Sequence, residues 1–279
     1  MQKDQLFTRR RLLLAGAAAL GAAGTAGAVL AGGAEESPEA APPAPAPGPQ
    51  ARQAPGPSAF RLQPLTGYGP PRAAPHRLRI RTEPIMRMPG RGRRMTLTFD
   101  DGPDPEYTPH VLDTLAKYDV RAMFFLCGQC VAGNRELVAR MADDGHVVGN
   151  HTWTHPLLTA LSRRRIRDEM KRTSDVIEDA YGERPQWFRA PYGAWNRTVF
   201  RLGAEMGMEP LAWTVDTTDW MLPGVGTIVH RVERDAAPGA VVLSHDAGGD
   251  RSQTVRALRA WLPHLLDSGY RMTVPKRRV

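Results

Sequence analysis

The chain has 279 residues, a formal net charge of +8 and an isoelectric point near 10. Its hydrophobic share of 42% and charged share of 24% are typical of a globular protein. No basic helix and no basic motif interleaved with aromatic residues is present, so nucleic acid is not an expected partner. The positive charge fits solvated arginines, or an exported protein that meets an anionic cell wall.

Residues 1–34 are predicted to be an export signal of the twin-arginine type. Three arginines at 9–11 come directly before an apolar run rich in Ala, Gly and Leu, the order found in such signals. Small residues between 26 and 34 offer cleavage sites, and we expect a cleaved product that is secreted or associated with the cell wall. The run at 12–30 is also long enough to remain as an anchor, so membrane contact is expected through this segment alone.

Residues 35–90 are predicted to be a disordered linker. Ala, Pro and Gly dominate residues 40–57, without apolar periodicity. Such a segment cannot bury enough surface to offset the entropy lost on ordering, and it should act as a semi-extended spacer. Residues 78–81 alternate like a short edge strand.

Apolar, β-type runs alternate with helical patterns over residues 91–279, which we predict to be one folded domain. The predicted strands are residues 95–100, 122–127, 146–150, 186–190, 210–216, 240–246 and 270–275. The predicted helices are residues 108–117, 135–144, 163–181, 198–206, 227–235 and 254–268. Strands that alternate with single helices predict parallel β/α units with right-handed crossovers. Seven such strands favour a barrel-like arrangement over a two-layer sandwich.

Two adjacent aspartates, Asp100 and Asp101, end the first predicted strand and precede a Gly-Pro breaker. Neighbouring side chains of a strand point in opposite directions, so one carboxylate can bind a cation while the other exchanges protons. A plain Asp-Gly turn after a strand is the alternative. The ends of the other strands decide between the two interpretations.

Four further groups of polar and aromatic residues lie at the ends of predicted strands. They are HTWTH at residues 151–155, RAPY at 189–192, DTTDW at 216–220 and LSH at 243–245. In a β/α barrel the carboxyl ends of the strands carry the active site, so five such groups predict one site on one rim. Within DTTDW, Asp216 has the alternative role of capping a turn.

The spacing of His151 and His155 is that of a metal-binding pair. On a helical turn, both imidazoles would reach one ion. With an aspartate from another strand end they form a site of three protein ligands and an open fourth position, the pattern of catalytic rather than structural zinc. Water bound there is acidic enough to attack a carbonyl near neutral pH. The alternative is two ordinary polar loop residues.

Cys127 and Cys130 are the two cysteines of the chain, in the sequence Cys-Gly-Gln-Cys. Because no second pair exists, an all-cysteine zinc site is excluded. We favour a structural disulfide or two ordinary thiols over redox catalysis, since a thioredoxin-type interpretation leaves the rest of the domain unexplained.

The ordered set TFDDGP, NHTWTH, RAPYG, DTTDW and LSHD resembles the polysaccharide deacetylase family, also called the NodB-homology carbohydrate esterases. The resemblance covers residues 91–279, and the set is highly specific although each piece alone is not. It implies an α/β fold, a distorted seven-stranded β/α barrel, with a catalytic site for metal-dependent hydrolysis. The sequence Cys-Gly-Gln-Cys at the end of the second strand departs from what the family leads us to expect there.

The resemblance implies a role for each residue near the ion. Asp101, His151 and His155 would hold a divalent metal, with Zn²⁺ as the expected ion and Co²⁺ as another candidate. Asp100 would be the general base on the metal-bound water, and Arg189 would orient this carboxylate and keep it ionised. Pairing of Arg189 with a surface carboxylate is the alternative.

The resemblance also implies which groups act on the carbonyl and on the leaving amine. The backbone N–H of Tyr192, which follows Pro191, would stabilise the oxyanion together with the metal. His245 would protonate the leaving amine, with Asp219 raising its pKa. The walls of an acetyl-sized pocket would be Trp220 and Leu243. A place in the core is the alternative for the tryptophan.

These expectations converge on an exported polysaccharide N-deacetylase that removes N-acetyl groups from a β-linked amino-sugar polymer. Peptidoglycan or a related wall or capsule glycan is favoured as substrate, chitin oligosaccharide is next, and a monomer is expected. Deacetylation of O-acetylated xylan and a catalytically silent wall-binding module are the alternatives.

Overall fold

The computed structural model of the chain describes residues 78–89 and 92–275. The predicted export signal and most of the predicted linker lie outside the described residues. Across the two described ranges, no helix combines the length and the apolar character that crossing a membrane requires.

A parallel sheet that curls into a half-barrel forms the centre of the domain. Its strands are β1 (Arg94–Asp100), β2 (Met123–Leu126), β3 (Val147–Asn150), β4 (Trp187–Phe188), β5 (Glu209–Pro210), β6 (Val215–Asp216), β7 (Val241–His245) and β8 (Arg271–Met272). Seven of them follow the order β5-β4-β3-β2-β1-β7-β6, and β8 pairs with the start of β1. The predicted seven-stranded β/α fold is confirmed.

Helices connect the strands, as the alternating pattern predicts. They are α1 (Thr108–Lys117), α2 (Gly128–Gly133), α3 (Arg135–Asp143), α4 (Arg163–Tyr181), α5 (Arg197–Glu205), α6 (Val225–Asp235) and α7 (Ser252–Asp267). Six agree with the predicted helices to within two residues at either end. The short α2 was not predicted, because Cys-Gly-Gln-Cys offers no apolar periodicity. Gly182 ends α4 in the left-handed conformation, as expected of a glycine C-cap.

The two faces of the sheet bury two different layers. On β1 and β2, Leu97, Phe99 and Phe124 pack with residues of the surrounding helices. The alternate side chains Met123 and Phe125 point into the hollow of the curled sheet. Because both faces are covered, β2 has the continuous apolar sequence of a buried parallel strand, whereas the alternate residues of β1 are buried threonines.

The predicted strand at residues 210–216 is in fact two strands at opposite ends of the sheet. β5 pairs with β4, whereas β6 pairs with β7. Between them, the carbonyl oxygens of Leu211 and Ala212 accept hydrogen bonds from the Arg189 guanidinium at 3.0 Å each. The run therefore crosses from one edge of the sheet to the other. In the gap, the buried Arg189 side chain supplies the hydrogen bonds that a neighbouring strand would otherwise donate.

The end of the predicted linker is part of the folded domain. Ile85 forms a parallel bridge with Leu211, with backbone hydrogen bonds of 2.8 Å to Pro210 and Ala212. Met88 donates from its backbone to the carbonyl of Gly239. The edge strand expected at residues 78–81 is absent from the described structure, and the folded domain begins before residue 91.

Candidate active site

The carboxyl edge of the sheet brings the predicted site residues together. Asp100 ends β1 and His245 ends β7, and the two are register partners on neighbouring strands. β1 also pairs with β2, and β2 with β3, so that residues 151–155, which follow β3, come to the same edge. The prediction that the strand ends form one rim is confirmed.

Asp101, His151 and His155 form a compact group, which we call the ligand cluster. Its ligand atoms all lie within 4.8 Å of one another. The Asp101 Oδ1 atom is 3.5 Å from His151 Nε2 and 3.3 Å from His155 Nε2. The structure thus assembles the three side chains that the sequence singles out as metal ligands.

The tautomer of His151 is fixed by its surroundings. Its Nδ1 atom lies 2.8 Å from the carbonyl oxygen of Arg189, which can only accept, so Nδ1 carries the proton. The lone pair of Nε2 then faces Asp101. Burial, together with the charge of His155, lowers the pKa of His151 to about 3, so this imidazole is neutral as metal binding requires.

The ligand cluster is built on backbone in the left-handed region. Asp101, Thr152 and His155 have φ values of 76°, 69° and 56°, which non-glycine residues seldom adopt. Residues 151–155, the ligand loop, are not helical, so the helical-turn explanation for the two histidines is wrong. A side chain that accepts a backbone bond shapes the loop instead, since Thr152 N donates to Asn150 Oδ1 at 2.9 Å.

The chemistry of the ligand cluster fits a divalent cation. Among the described residues, the buried Asp101 Oδ1 atom has no hydrogen-bond partner, and such an orphaned carboxylate oxygen is costly unless something else binds it. Two imidazoles and a carboxylate are a donor set that Zn²⁺ accepts. Asp101, His151 and His155 are therefore the residues that could hold the ion.

Asp100 and Arg189 form a buried ion pair beside the cluster. Arg189 Nη1 donates to Asp100 Oδ1 at 2.6 Å and to Thr98 Oγ1 at 2.8 Å. The guanidinium also lies 4.2 Å from the ring centroid of Phe125, inside the curled sheet. Burial raises the pKa of Asp100 while the charge of Arg189 opposes the shift, which leaves a more basic carboxylate than an exposed one. The alternative of a surface partner for Arg189 is wrong.

Asp219 and His245 form a second hydrogen-bonded pair on the rim. His245 Nδ1 lies 2.7 Å from Asp219 Oδ1, and the His245 backbone N–H donates to Asp219 Oδ2 at 2.8 Å. Burial acts to lower the pKa of His245, but the hydrogen bond and charge of Asp219 outweigh burial and raise it to about 9. Burial acts to raise the pKa of Asp219, but hydrogen bonds from His245 and Thr254 hold it below its usual value.

The remaining predicted site residues surround these groups. Tyr192 lies in a 3₁₀ turn, with its ring 4.6 Å from that of His155 and its hydroxyl donating to the His155 carbonyl at 3.3 Å. Pro191 and Leu243 are buried, whereas Trp220 is 48% exposed and therefore not a core residue. Asp216 caps a turn, accepting from the backbone N–H of Thr218 at 2.7 Å.

Two residues that support the site have no signal in the sequence. Glu169, on α4, accepts from the backbone N–H groups of Trp153 and Thr154 at 2.8 Å each and from the Thr154 hydroxyl at 2.9 Å. Thr254, on α7, donates its hydroxyl to Asp219 Oδ2 at 2.7 Å. Both residues lie on helices. The apolar periodicity of a helix identifies which of its residues face the core, but it does not indicate which polar side chains contact distant loops.

Cys127 and Cys130 are free thiols in this structure, Cys127 buried and Cys130 partly so. The structure therefore shows the second of the two favoured interpretations, two thiols without a disulfide. Burial and the charge of Asp101 raise the pKa of Cys130 to about 11, so the thiol is protonated at neutral pH.

Comparison with known proteins gives one consistent result. The family model described as "Polysaccharide deacetylase" matches residues 87–211. A chitooligosaccharide deacetylase of Bradyrhizobium sp. (strain ANU 289) is 43% identical over 190 residues, 64% of this chain and 87% of that protein. A peptidoglycan-N-acetylglucosamine deacetylase of Bacillus cereus is 41% identical over 186 residues, 66% of this chain and 87% of that protein. A crystal structure of a peptidoglycan N-acetylglucosamine deacetylase aligns with a TM-score of 0.66 and 35% identity, over 68% of this chain and 89% of that one.

A curled parallel β/α sheet that gathers carboxylates, imidazoles and a guanidinium at its carboxyl edge has the architecture of a barrel-type enzyme. The chain belongs to the polysaccharide deacetylase family, and it is an enzyme of the polysaccharide N-deacetylase class.

Proposed function

We propose that the protein removes N-acetyl groups from N-acetylglucosamine units of a β-linked polymer, with a peptidoglycan-type wall glycan as the preferred substrate and chitin oligosaccharide as the next. Two relatives that align with this chain over most of their own length are named as deacetylases of these two substrates. The observation that carries the proposal is the pairing of Asp100 with His245 across β1 and β7, beside the ligand cluster.

Asp101, His151 and His155 would hold the divalent cation, with Zn²⁺ as the first candidate and Co²⁺ as the second. When bound, such a cation supplies Lewis-acid chemistry, which polarises a carbonyl and makes water acidic near neutral pH. The protein's own part is to present two imidazoles and a carboxylate, with the His151 tautomer set by the Arg189 carbonyl.

Asp100 is the general base in this proposal, and it accepts a proton from the attacking water. Its Oδ1 atom is occupied by Arg189, so Oδ2, which lies 3.7 Å from His151 Nε2, is the oxygen that faces the ligand cluster. Arg189 cannot rotate away, because Leu211 and Ala212 hold its other nitrogens. Arg189 thus fixes the orientation of the Asp100 carboxylate that acts as the base.

His245 is the general acid in this proposal, and it gives a proton to the leaving amine. Its Nδ1 atom faces Asp219, which leaves Nε2–H for the substrate. A pKa near 9 keeps the imidazole protonated at neutral pH, as an acid must be at the start of the reaction. Asp219 in turn is oriented by Thr254.

The acetyl group would bind between the two halves of the rim. The backbone N–H of Tyr192, which follows Pro191, would donate to the developing oxyanion. The half-exposed Trp220 follows directly after Asp219, and Leu243 precedes His245 by two residues, so both can border the pocket on the acid side. A planar indole and a buried aliphatic chain suit the small apolar methyl of an acetyl group.

Export is a further part of the proposal and concerns residues outside the described structure. The twin arginine and the apolar run that follows support a secreted or wall-associated protein, with a retained anchor as the alternative. Amino-terminal sequencing of protein recovered from the culture medium and from membranes tests it. Material that remains wholly in the cytoplasm would contradict export.

The activity is tested by measuring the acetate that the full-chain protein releases from acetylated polymers. The protein is stripped with a chelator, and Zn²⁺ or Co²⁺ is added back in the presence of peptidoglycan, chitin oligosaccharides or acetylated xylan. We expect release that depends on the added metal and is fastest with the amino-sugar polymers. Release from acetylated xylan alone would contradict N-deacetylation, and no release from any polymer by metal-loaded protein would contradict the proposal as a whole.

A further inference from the structure

The sequence Cys-Gly-Gln-Cys has no part in the proposed mechanism, yet the structure places it against the ligand cluster. Cys127 follows β2 directly and is the N-cap of α2. The backbone N–H of Cys130 donates to the carbonyl of Cys127 at 3.0 Å, which closes a turn. The α-carbons at the ends of such a turn lie within about 7 Å of each other, the range in which a disulfide can form.

This turn is hydrogen-bonded to both segments that carry the metal ligands. The backbone N–H of Cys127 donates to the carbonyl of Gly102 at 3.0 Å, next to Asp101. The next two N–H groups, of Gly128 and Gln129, donate to ligand-loop carbonyls at 3.0 and 3.2 Å. Three successive backbone donors therefore link the aspartate segment to the histidine loop.

The thiol of Cys127 adds a contact of its own. Its Sγ atom lies 3.8 Å from the carbonyl oxygen of His151, where a weak S–H hydrogen bond forms. The same histidine donates from its ring to Arg189. The position of the Cys127 side chain is thus coupled directly to the backbone of a metal ligand.

The turn has no room in which to shift independently of the ligand loop. A Cβ atom added at Gly128 would lie 2.3 Å from the Trp153 ring and 2.8 Å from Thr173 Oγ1. Because interiors are closely packed, a displacement of this turn moves the residues that it touches.

We propose that Cys127 and Cys130 are a thiol–disulfide site whose oxidation weakens the binding of a divalent cation by the ligand cluster. The inference rests on the proposed function in one respect, namely that the cluster binds such a cation. In the disulfide, the Cys127 sulfur is bonded to the Cys130 sulfur and carries no proton to donate to the His151 carbonyl. The weak S–H bond is then lost, and the link between the two ligand segments is distorted.

The oxidant is a small-molecule disulfide, such as glutathione disulfide. Cys130, the more accessible thiol, loses its proton and attacks one sulfur of the oxidant, which forms a mixed disulfide and releases one small thiol. Cys127 then loses its proton and attacks the Cys130 sulfur, which releases the second small thiol. Two protons and two electrons pass to the oxidant, and one intramolecular S–S bond forms.

The test compares Zn²⁺ affinity of the full chain in two redox states. The protein is first reduced with a phosphine, and the phosphine is removed. Half of the sample is then incubated with glutathione disulfide, and the other half is kept reduced. Thiol titration and intact mass report the bridge as a loss of two hydrogens without an adduct, and competition with a coloured chelator reports Zn²⁺ affinity. We expect the bridged protein to bind Zn²⁺ about tenfold more weakly, with recovery after reduction.

Cys130→Ala is the matched control, because it cannot form the bridge. Its Zn²⁺ affinity should not respond to the oxidant. If the reduced wild type binds Zn²⁺ but the bridge does not form, or forms without weakening the affinity, this inference alone is overturned. If the reduced wild type binds no Zn²⁺, the proposed cation site itself is overturned, and the inference with it.

Discussion

Asp100 and His245 stand side by side on the neighbouring parallel strands β1 and β7, as register partners in the pairing of the two strands. Adjacent strands are about 4.8 Å apart, so the proposed base and the proposed acid emerge close together at one edge of the sheet. Each has its own buried partner, Arg189 for the aspartate and Asp219 for the histidine. These opposite environments explain how one site keeps a carboxylate ready to accept a proton and an imidazolium ready to give one.

The first prediction concerns the alkaline limb of the pH–rate profile. Asp219 raises the pKa of His245 to about 9, so the protonated acid is present below that pH and is lost above it. We expect kcat/KM to fall as the pH rises through about 9. In Asp219→Asn, burial lowers the pKa of His245 without the opposing charge of Asp219. The alkaline limb should therefore move by more than about one pH unit toward lower pH. An alkaline limb in the same place in both proteins would contradict the role of this pair.

The second prediction concerns the buried ion pair. Arg189→Met leaves the Asp100 carboxylate buried without its partner, and the free energy of unfolding should fall by about 3–5 kcal/mol. The double variant Asp100→Asn with Arg189→Met removes both charges, so it should recover part of that loss. Urea unfolding of the wild type, the two single variants and the double variant measures the coupling. Strictly additive effects would show that the two groups do not act as a pair.

The third prediction concerns the support of the ligand loop by α4. Glu169→Ala removes the acceptor of three hydrogen bonds and leaves the backbone donors of Trp153 and Thr154 without it. We expect Zn²⁺ affinity to fall about tenfold, with little change in the melting temperature of the metal-free protein. The control is Asp168→Asn at the exposed neighbouring position, which should bind as the wild type does. Equal loss in both variants would mean that charge on α4, not loop geometry, is responsible.

The fourth prediction concerns the loop behind Asp101. Gly248 has a φ of +81°, and a Cβ atom added there would lie 2.6 Å from Asp101 Oδ2. Gly248→Ala should therefore displace the carboxylate and weaken Zn²⁺ binding, as measured by calorimetric titration. Gly226→Ala is the control, since α6 leaves open space at that position and alanine favours the helix. Tight Zn²⁺ binding in Gly248→Ala would show that Asp101 is free to move.

Much of this architecture is readable from the sequence, because the strong signals are local. Apolar runs separated by amphipathic helices identify the parallel β/α order. Polar groups such as Asp100-Asp101 and LSH stand directly after such runs, and in parallel sheets these positions meet at one edge. The clustering of these groups could therefore be predicted without any knowledge of distances, whereas the role of each residue was implied by the resemblance to the family.

The features that the sequence does not reveal depend on contacts between distant residues. The run 210–216 is mostly apolar and of β type, so nothing local indicates that its middle bonds to Arg189 and that the run forms two separate strands. Ile85 follows a segment rich in proline, but pairing with Leu211 makes it part of the sheet. The left-handed backbone at Asp101 and His155 is imposed by the surrounding fold, since neither residue is a glycine.

The most direct test of the account compares Asp100→Asn with His151→Ala in full-chain protein, with bound Zn²⁺ and acetate release measured on the same samples. We expect Asp100→Asn to hold Zn²⁺ as the wild type does but to lose nearly all acetate release, because the cation site is intact and the base is gone. His151→Ala should lose both. Normal turnover by Asp100→Asn, or full activity in His151→Ala without bound metal, would contradict the division of the two neighbouring aspartates into a base and a ligand.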